Sequence, residues 1–194
     1  LRLSKDETIV RMPFEVRHMG SKYPIFSFDF TGAKRGVLPA SYDYLRLEGR
    51  MQYRLNLPPI GYSQLMLEGG KIFGKVPYLL LKLHEGNGTY FYDRYAFSCM
   101  NFYEFSSDAW ISFFYEHHFN GFLLGRVPLL KKLNWREVFV FKGVYGTLSA
   151  RNDGSLPNTK AVMLFPVGMS SVEHPYLETG FGIENIFRLL RVDC

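Results

Sequence analysis

The sequence predicts an all-β protein, read as an antiparallel transmembrane β-barrel or a part of one. Three observations predict it. Helical periodicity is nearly absent; the chain runs in short apolar/polar alternations broken by Gly, Pro, Asn and Asp. Aromatic residues make up 17% of the 194 residues and are spread over the whole length. No charge-free apolar run approaches the roughly 20 residues that a membrane helix needs, so a bilayer would have to be crossed by strands.

Taken in order, the candidate strands cover residues 8–18, 23–31, 42–55, 61–73, 89–99, 108–119, 135–147, 161–168, 175–184 and 187–194. The connections are short enough that most neighbours should be antiparallel. Residues 147–160 read as a long polar loop and 32–40 as a shorter, basic one. No linker or low-complexity stretch divides the chain, so one structural unit over 1–194, of about ten strands, is expected. The chain starts Leu1-Arg2-Leu3 and stops within an alternation at Cys194, with no leader pattern, which reads as an internal piece of something longer.

Within 45–55, LRLEGRMQYRL, the pattern is clearest. Leu45, Leu47, Gly49, Met51, Tyr53 and Leu55 share one face; Arg46, Glu48, Arg50, Gln52 and Arg54 share the other. Phe26, Phe28 and Phe30 alternate with Ser27, Asp29 and Thr31 in the same way. In 108–119, Ile111, Phe113, Tyr115 and Phe119 oppose Ser112, Glu116 and His118, but Trp110 and Phe114 break the split. Residues 135–145 are mixed, because Val138, Val140 and Val144 share a face with Arg136 and Lys142.

Alternation does not say which face meets water. A soluble sandwich or barrel turns its apolar face inward; an outer-membrane barrel turns it to lipid and lines its lumen with the polar face. Two features favour the membrane version. Aromatics cluster at expected strand ends (Tyr42, Tyr44; Tyr90, Phe91, Tyr92; Phe102, Tyr103, Phe105), as interfacial girdles do. The polar face of 45–55 also carries long side chains of both signs, which suits a wet, crowded lumen. On this reading Arg46, Glu48, Arg50, Gln52 and Arg54 face the lumen, and Leu45, Leu47, Met51, Tyr53 and Leu55 face lipid.

Two segments share a pattern, GKVPYLL from Gly74 and GRVPLL from Gly125, each read as a strand stop whose leucines tuck against a barrel end. LLKKLNW from Leu129 suggests one helical turn. Several strings then carry a family resemblance: Gly86-Asn87, Met100-Asn101-Phe102-Tyr103-Glu104-Phe105, Ser107-Asp108, Glu116-His117-His118-Phe119-Asn120-Gly121, Pro128-Leu129-Leu130-Lys131-Lys132-Leu133, Trp135-Arg136-Glu137 and Gly182-Ile183-Glu184-Asn185-Ile186-Phe187. From about Tyr42 onward the chain resembles the barrel portion of an uncharacterised family of Bacteroidota outer-membrane proteins. In that family a carboxypeptidase-regulatory-like β-sandwich precedes the barrel. The resemblance implies a bacterial outer-membrane location and brings no activity. The regulatory-like domain and an aromatic-ended closing strand are lacking here, which leaves barrel closure open.

Chemistry is sparse. Glu116-His117-His118 invites a metal, yet the two histidines point to opposite faces of a strand; Glu104 or Asp108 would have to join Glu116 and His118. No metal and no cofactor are expected. A lipid hydrolase would draw on Ser106, Ser107, Ser112 and His118, but no nucleophile-elbow, P-loop or dinucleotide motif occurs, and no catalytic residue is assigned. The +5 formal charge is dispersed, which argues against nucleic acid; Lys34, Arg35, Arg151 and Lys160 are better placed to meet lipid phosphates. Cys99 and Cys194 read as unpaired thiols. The expected role is therefore structural, or in transport, secretion or assembly, with outer-membrane lipid and other envelope proteins as partners. The alternatives are a soluble β-domain binding ligand or carbohydrate through its aromatics, and an outer-membrane lipid hydrolase.

Overall fold

The computed structural model describes residues 1–36, 40–89 and 91–194. Three expectations touch residues outside these: part of the basic loop 32–40, Tyr90 of one aromatic cluster, and the same residue in the expected strand 89–99. The strands are β1 (Arg2–Leu3), β2 (Thr8–Arg11), β3 (Val16–Gly20), β4 (Ile25–Ala33), β5 (Tyr44–Asn56), β6 (Tyr62–Gly74), β7 (Lys82–Leu83), β8 (Phe105–Ser107), β9 (Ala109–His118), β10 (Arg136–Thr147), β11 (Ser170–Ser171), β12 (Tyr176–Ile186) and β13 (Leu190–Asp193). One helical turn, α1 (Pro128–Lys131), falls where LLKKLNW suggests one.

Eight strands form one antiparallel sheet in the order β1-β4-β5-β6-β9-β10-β12-β13. β7, β8 and β11 make a small second sheet whose β8–β11 pair is parallel, and β2 and β3 form a hairpin. The fold is thus all-β and dominated by antiparallel pairing. The large sheet has two edges, β1 and β13, and does not close on itself among the described residues.

Register fixes two faces across the whole sheet. Arg50 stands opposite Glu68, Glu68 opposite Ser112, Ser112 opposite Val144 and Val144 opposite Tyr176. One residue along, Phe26, Met51, Leu67, Phe113, Gly143 and Leu177 form the neighbouring row, and the pleat turns it to the other side. The first face lies beneath the connections 75–104 and 148–175. The second is uncovered: Leu177 and Phe181 are each 63% exposed, and Phe30, Leu45, Phe73 and Ile111 are exposed as well.

The core lies between the sheet and the loops. Met66, Phe114 and Val144 of the sheet meet Phe97 and Met100 of the loop 84–104; nearer the loop end, Ile72 and Trp110 meet Val76 and Leu81. Trp110 and Phe114, which spoil the alternation of 108–119, are the sheet side of these two clusters. Gly70 makes room for Trp110, since a Cβ there would stand 2.5 Å from the indole ring.

Several strand expectations need correction. Among the described residues, 91–99 and 161–168 form no strand; Phe97 makes an isolated bridge with Gly86. The segment 8–18 splits into a hairpin at Pro13-Phe14. The two VP motifs share a turn but not a burial: Val76 is buried and Leu80 packs beside it, whereas Val127 is exposed. Both cysteines are free and exposed. The aromatic clusters are not girdles: Tyr44 packs under the loops, Tyr92 turns to the covered face, and Phe91, Phe102 and Tyr103 sit exposed on the long loop.

The sheet has a turn end and a loop end. At the turn end, Gly61 (φ +105°) closes the β5–β6 hairpin so tightly that a Cβ would reach the His118 carbonyl, and β12 returns to β13 within a few residues. At the loop end, the connections 34–43, 75–104 and 148–175 are long.

Candidate functional site

The covered face carries isolated ionised residues, and the loop 75–104 is fastened to them. Alternation places Arg46, Glu48, Arg50, Gln52 and Arg54 of β5 on this side, and Leu45, Leu47, Met51, Tyr53 and Leu55 on the uncovered side. Arg46 binds Glu48 at 2.8 Å, and Arg50 reaches Glu68 at 2.6 Å and Glu48 at 3.9 Å. The arginine column is therefore a ladder of alternating charge. Gln52 and Arg54 end it at the wall of a 760 Å³ cavity, opposite Arg94 and Tyr95 of the loop and Tyr23 of the N-terminal segment. Arg54 also lies over the Tyr62 ring at 4.2 Å.

Three carboxylates on the sheet take donors from the loop. Glu68 accepts from Lys82 at 2.6 Å and from the Trp110 indole at 3.4 Å, beside Arg50. Glu116, 1% exposed, accepts from the Tyr92 hydroxyl at 3.1 Å and from Arg94 Nε at 2.8 Å, while Arg191 of β13 donates to its other oxygen. Glu178 accepts from the backbone N–H groups of Ser98 at 2.8 Å and Cys99 at 2.7 Å. In the opposite sense, buried Lys142 donates to the carbonyls of Asp93, at 3.0 Å, and Ala96. Each charge in this interior has partners, as a low-dielectric site requires.

The loop groups are tuned by this setting. Burial opposes the charge of Lys82, but Glu85 and Glu68 outweigh it, and its pKa is raised. Burial, reinforced by Lys82, lowers His84 to about 4, so its imidazole is neutral at pH 7; its Nε2 lies 2.9 Å from Ser107 Oγ. Burial and then Glu116 raise the Tyr92 phenol, which donates as the neutral hydroxyl.

Glu116 and His118 do share a face, with His118 Nε2 3.0 Å from Glu116 and Nδ1 3.1 Å from Glu184. Glu104 and Asp108 do not join them. Glu104 accepts from Asn101, and Asp108 accepts from Ser149 and Asn152 at the loop end. His117 is on the other face, where its Nδ1 is 2.8 Å from Ser63 Oγ and its Nε2 is 3.0 Å from the Ile60 carbonyl. Ser112 and His118 stand six positions apart on one strand, about 20 Å, too far for a relay. Ser63 and Ser107, the serines that do touch a histidine, are both buried.

Sequence reasoning did not single out Glu68 or Glu178, noted Lys142 only as a charge mixed into a valine face, and read Glu116 as a polar-face residue and metal candidate. Their signal is a lone charge on a strand face otherwise made of Val, Met, Phe, Gly and Ser. No curated protein and no solved structure matches the chain. A family model matches residues 6–150, starting earlier than the resemblance drawn from the motifs and ending before Gly182-Ile183-Glu184. The protein with this one-sided sheet and charge-fastened loop belongs to a family of unknown function, DUF5686, through that family's C-terminal domain.

Proposed function

We propose that this chain is wall and plug of an antiparallel β-barrel in the bacterial outer membrane, with a structural role or one in transport, secretion or envelope assembly, and no catalysis. One observation carries the reading: the sheet face that nothing covers is itself largely apolar, while the face beneath the loops holds both a hydrophobic core and buried charges. The exposed large side chains of the uncovered face are mostly Leu, Ile, Phe and Tyr, with Lys71 among them, while ion pairs and buried carboxylates lie beneath the loops. A monomer in water would leave an apolar surface of this extent to aggregate. A bilayer turns the same arrangement into a stable one.

On this reading Leu45, Leu47, Met51, Tyr53 and Leu55 meet acyl chains, and Arg46, Glu48, Arg50, Gln52 and Arg54 line the interior. Strand length agrees: the 13 residues of β5 span roughly 44 Å, or about 31 Å when tilted by 45°. The edges β1 and β13 offer free backbone groups to further strands, which would complete the barrel. A preceding regulatory-like domain and a Bacteroidota envelope belong to the same proposal. So do its partners, outer-membrane lipid and other envelope proteins.

Membrane fractionation of the full-length protein tests it. It should resist carbonate extraction, require detergent, and migrate faster unheated than boiled on a denaturing gel. Release into carbonate as a soluble monomer would replace the barrel by a soluble β-domain.

A further inference from the structure

Most arginines of the covered face are neutralised by carboxylates. At the turn end Arg54 lies over the Tyr62 ring instead, and three further cations share one cleft. Lys131 of α1, Arg136 at the start of β10 and Arg188 of the β12–β13 turn line one cleft of 390 Å³. Its remaining lining is Trp135 with asparagines and glycines; Glu184, opposite Arg136, lines the adjoining cleft that shares Arg136 and Arg188. The two nearby acids are engaged elsewhere: Glu184 faces His118 at 3.1 Å, and Glu137 accepts from the Leu124 N–H. Among the described residues, none of the three cations has an ion-pair partner. The cleft is also a built one. The Asn185 side-chain amide donates to the Asn134 carbonyl at 2.8 Å, tying the β12–β13 turn to the 119–135 connection.

Both connections that supply the cations also present large apolar side chains. Phe187 is 83% and Leu189 89% exposed, and Leu123, Val127 and Leu133 are exposed on the other connection. A site for a small anion has no use for such wings. A molecule with an anionic head and apolar tails uses both parts.

We infer that this cleft binds the phosphate headgroup of an anionic glycerophospholipid, with its acyl chains along the flanking apolar residues. The inference rests on the membrane reading above. It also assigns a side: short connections mark the periplasmic rim of such barrels, and two of the three connections at this end, β5–β6 and β12–β13, are tight turns, the third being 119–135. The lipid would be one of the inner leaflet. At about one order of magnitude per cation or a little less, three cations should favour a charged over a zwitterionic headgroup by about a hundredfold.

The test uses the full-length protein in neutral detergent, titrated with phosphatidylglycerol or phosphatidylcholine carrying brominated chains. Quenching of Trp135 fluorescence is the readout; Trp110 is buried under the loops. Wild type should be quenched by phosphatidylglycerol at about a hundredfold lower concentration. The combined variant Lys131→Gln, Arg136→Gln, Arg188→Gln should lose that preference, while Arg136→Lys with Arg188→Lys should keep most of it. Equal preference in the glutamine variant would overturn the inference. So would displacement of the lipid by equimolar inorganic phosphate, which would make this a free-anion site. A protein that stays in the aqueous layer on detergent phase separation would overturn the membrane reading as well. One that enters the detergent layer and shows no preference overturns the cleft alone.

Discussion

Glu116 is the residue on which most of the interior converges. Tyr92, Arg94 and Arg191 all donate to it, and His118 lies beside it. Its neutralisation takes the carboxylate from Arg94 and leaves Arg191 with Asp193 alone, which costs more than the lost bonds. Glu116→Gln should therefore lower unfolding stability by about 3–5 kcal/mol, read from denaturant midpoints. Glu178→Gln is the contrast: its loop donors are uncharged N–H groups, so the loss should be about 1–3 kcal/mol. Equal effects would mean that Glu116 is not held by its cations. His84 adds a pH dependence of definite sign. Folded, it is lowered to about 4; unfolded, it titrates near 6.5. Above 6.5 it is neutral in both states. Below that the unfolded chain takes up the proton first, so stability falls between pH 6.5 and 4, by up to about 3 kcal/mol. In His84→Gln the fall over this window should be correspondingly smaller in the same denaturation series.

At the scale of the strand, alternation alone sorted the residues of β5 onto two sides, because Leu45, Leu47, Met51 and Leu55 are plainly apolar and Arg46, Glu48, Arg50 and Arg54 plainly ionic. β9 and β10 were harder. Trp110, Phe114 and Val144 look misplaced until the loop that covers them is known; they are apolar because Phe97, Met100, Val76 and Leu81 lie on top. The same burial explains the false strands. In 91–99, Tyr92 and Phe97 are aromatic not to pair in a sheet but to fill the space over it, and period-2 patterning does not separate these two uses. The apolar row Phe26, Met51, Leu67, Phe113, Leu177 makes a prediction at this scale. Near the middle of a bilayer an arginine on the lipid face costs about 2–4 kcal/mol; at an exposed position in water it is nearly neutral, within about 0.5 kcal/mol. Met51→Arg and Leu177→Arg should each show the larger penalty in folding titrations into lipid vesicles. A change within the smaller bound at both sites would speak for water on that face.

For the molecule as a whole, the question is what keeps the loop 75–104 on the sheet. The sheet side offers Glu68, Glu116 and Glu178 against Lys142, and the loop side brings Lys82 and Arg94, so the docking is between opposite charges. Hydrophobic contact works in the same direction through Phe97 and Met100. The two contributions are similar in size: two charge-assisted contacts at about 1.5–3 kcal/mol each, and two large side chains at about 1.5–3 kcal/mol each. They can be separated, because the carboxylates keep second partners. With Lys82 and Arg94 replaced, Glu68 still has Arg50 and Glu116 still has Arg191. Lys82→Ala with Arg94→Ala should therefore leave the sheet folded and heat-modifiable while the loop lets go. Limited proteolysis should then cut within 84–104, and the full-length protein in a planar bilayer should pass from closed to stepwise ion conductance. If the double variant stays resistant and closed, the aromatic contacts alone hold the plug, and Phe97→Ala with Met100→Ala should release it instead. If conductance is already open in the wild type, the interior is a conduit and the ion pairs line it without blocking it.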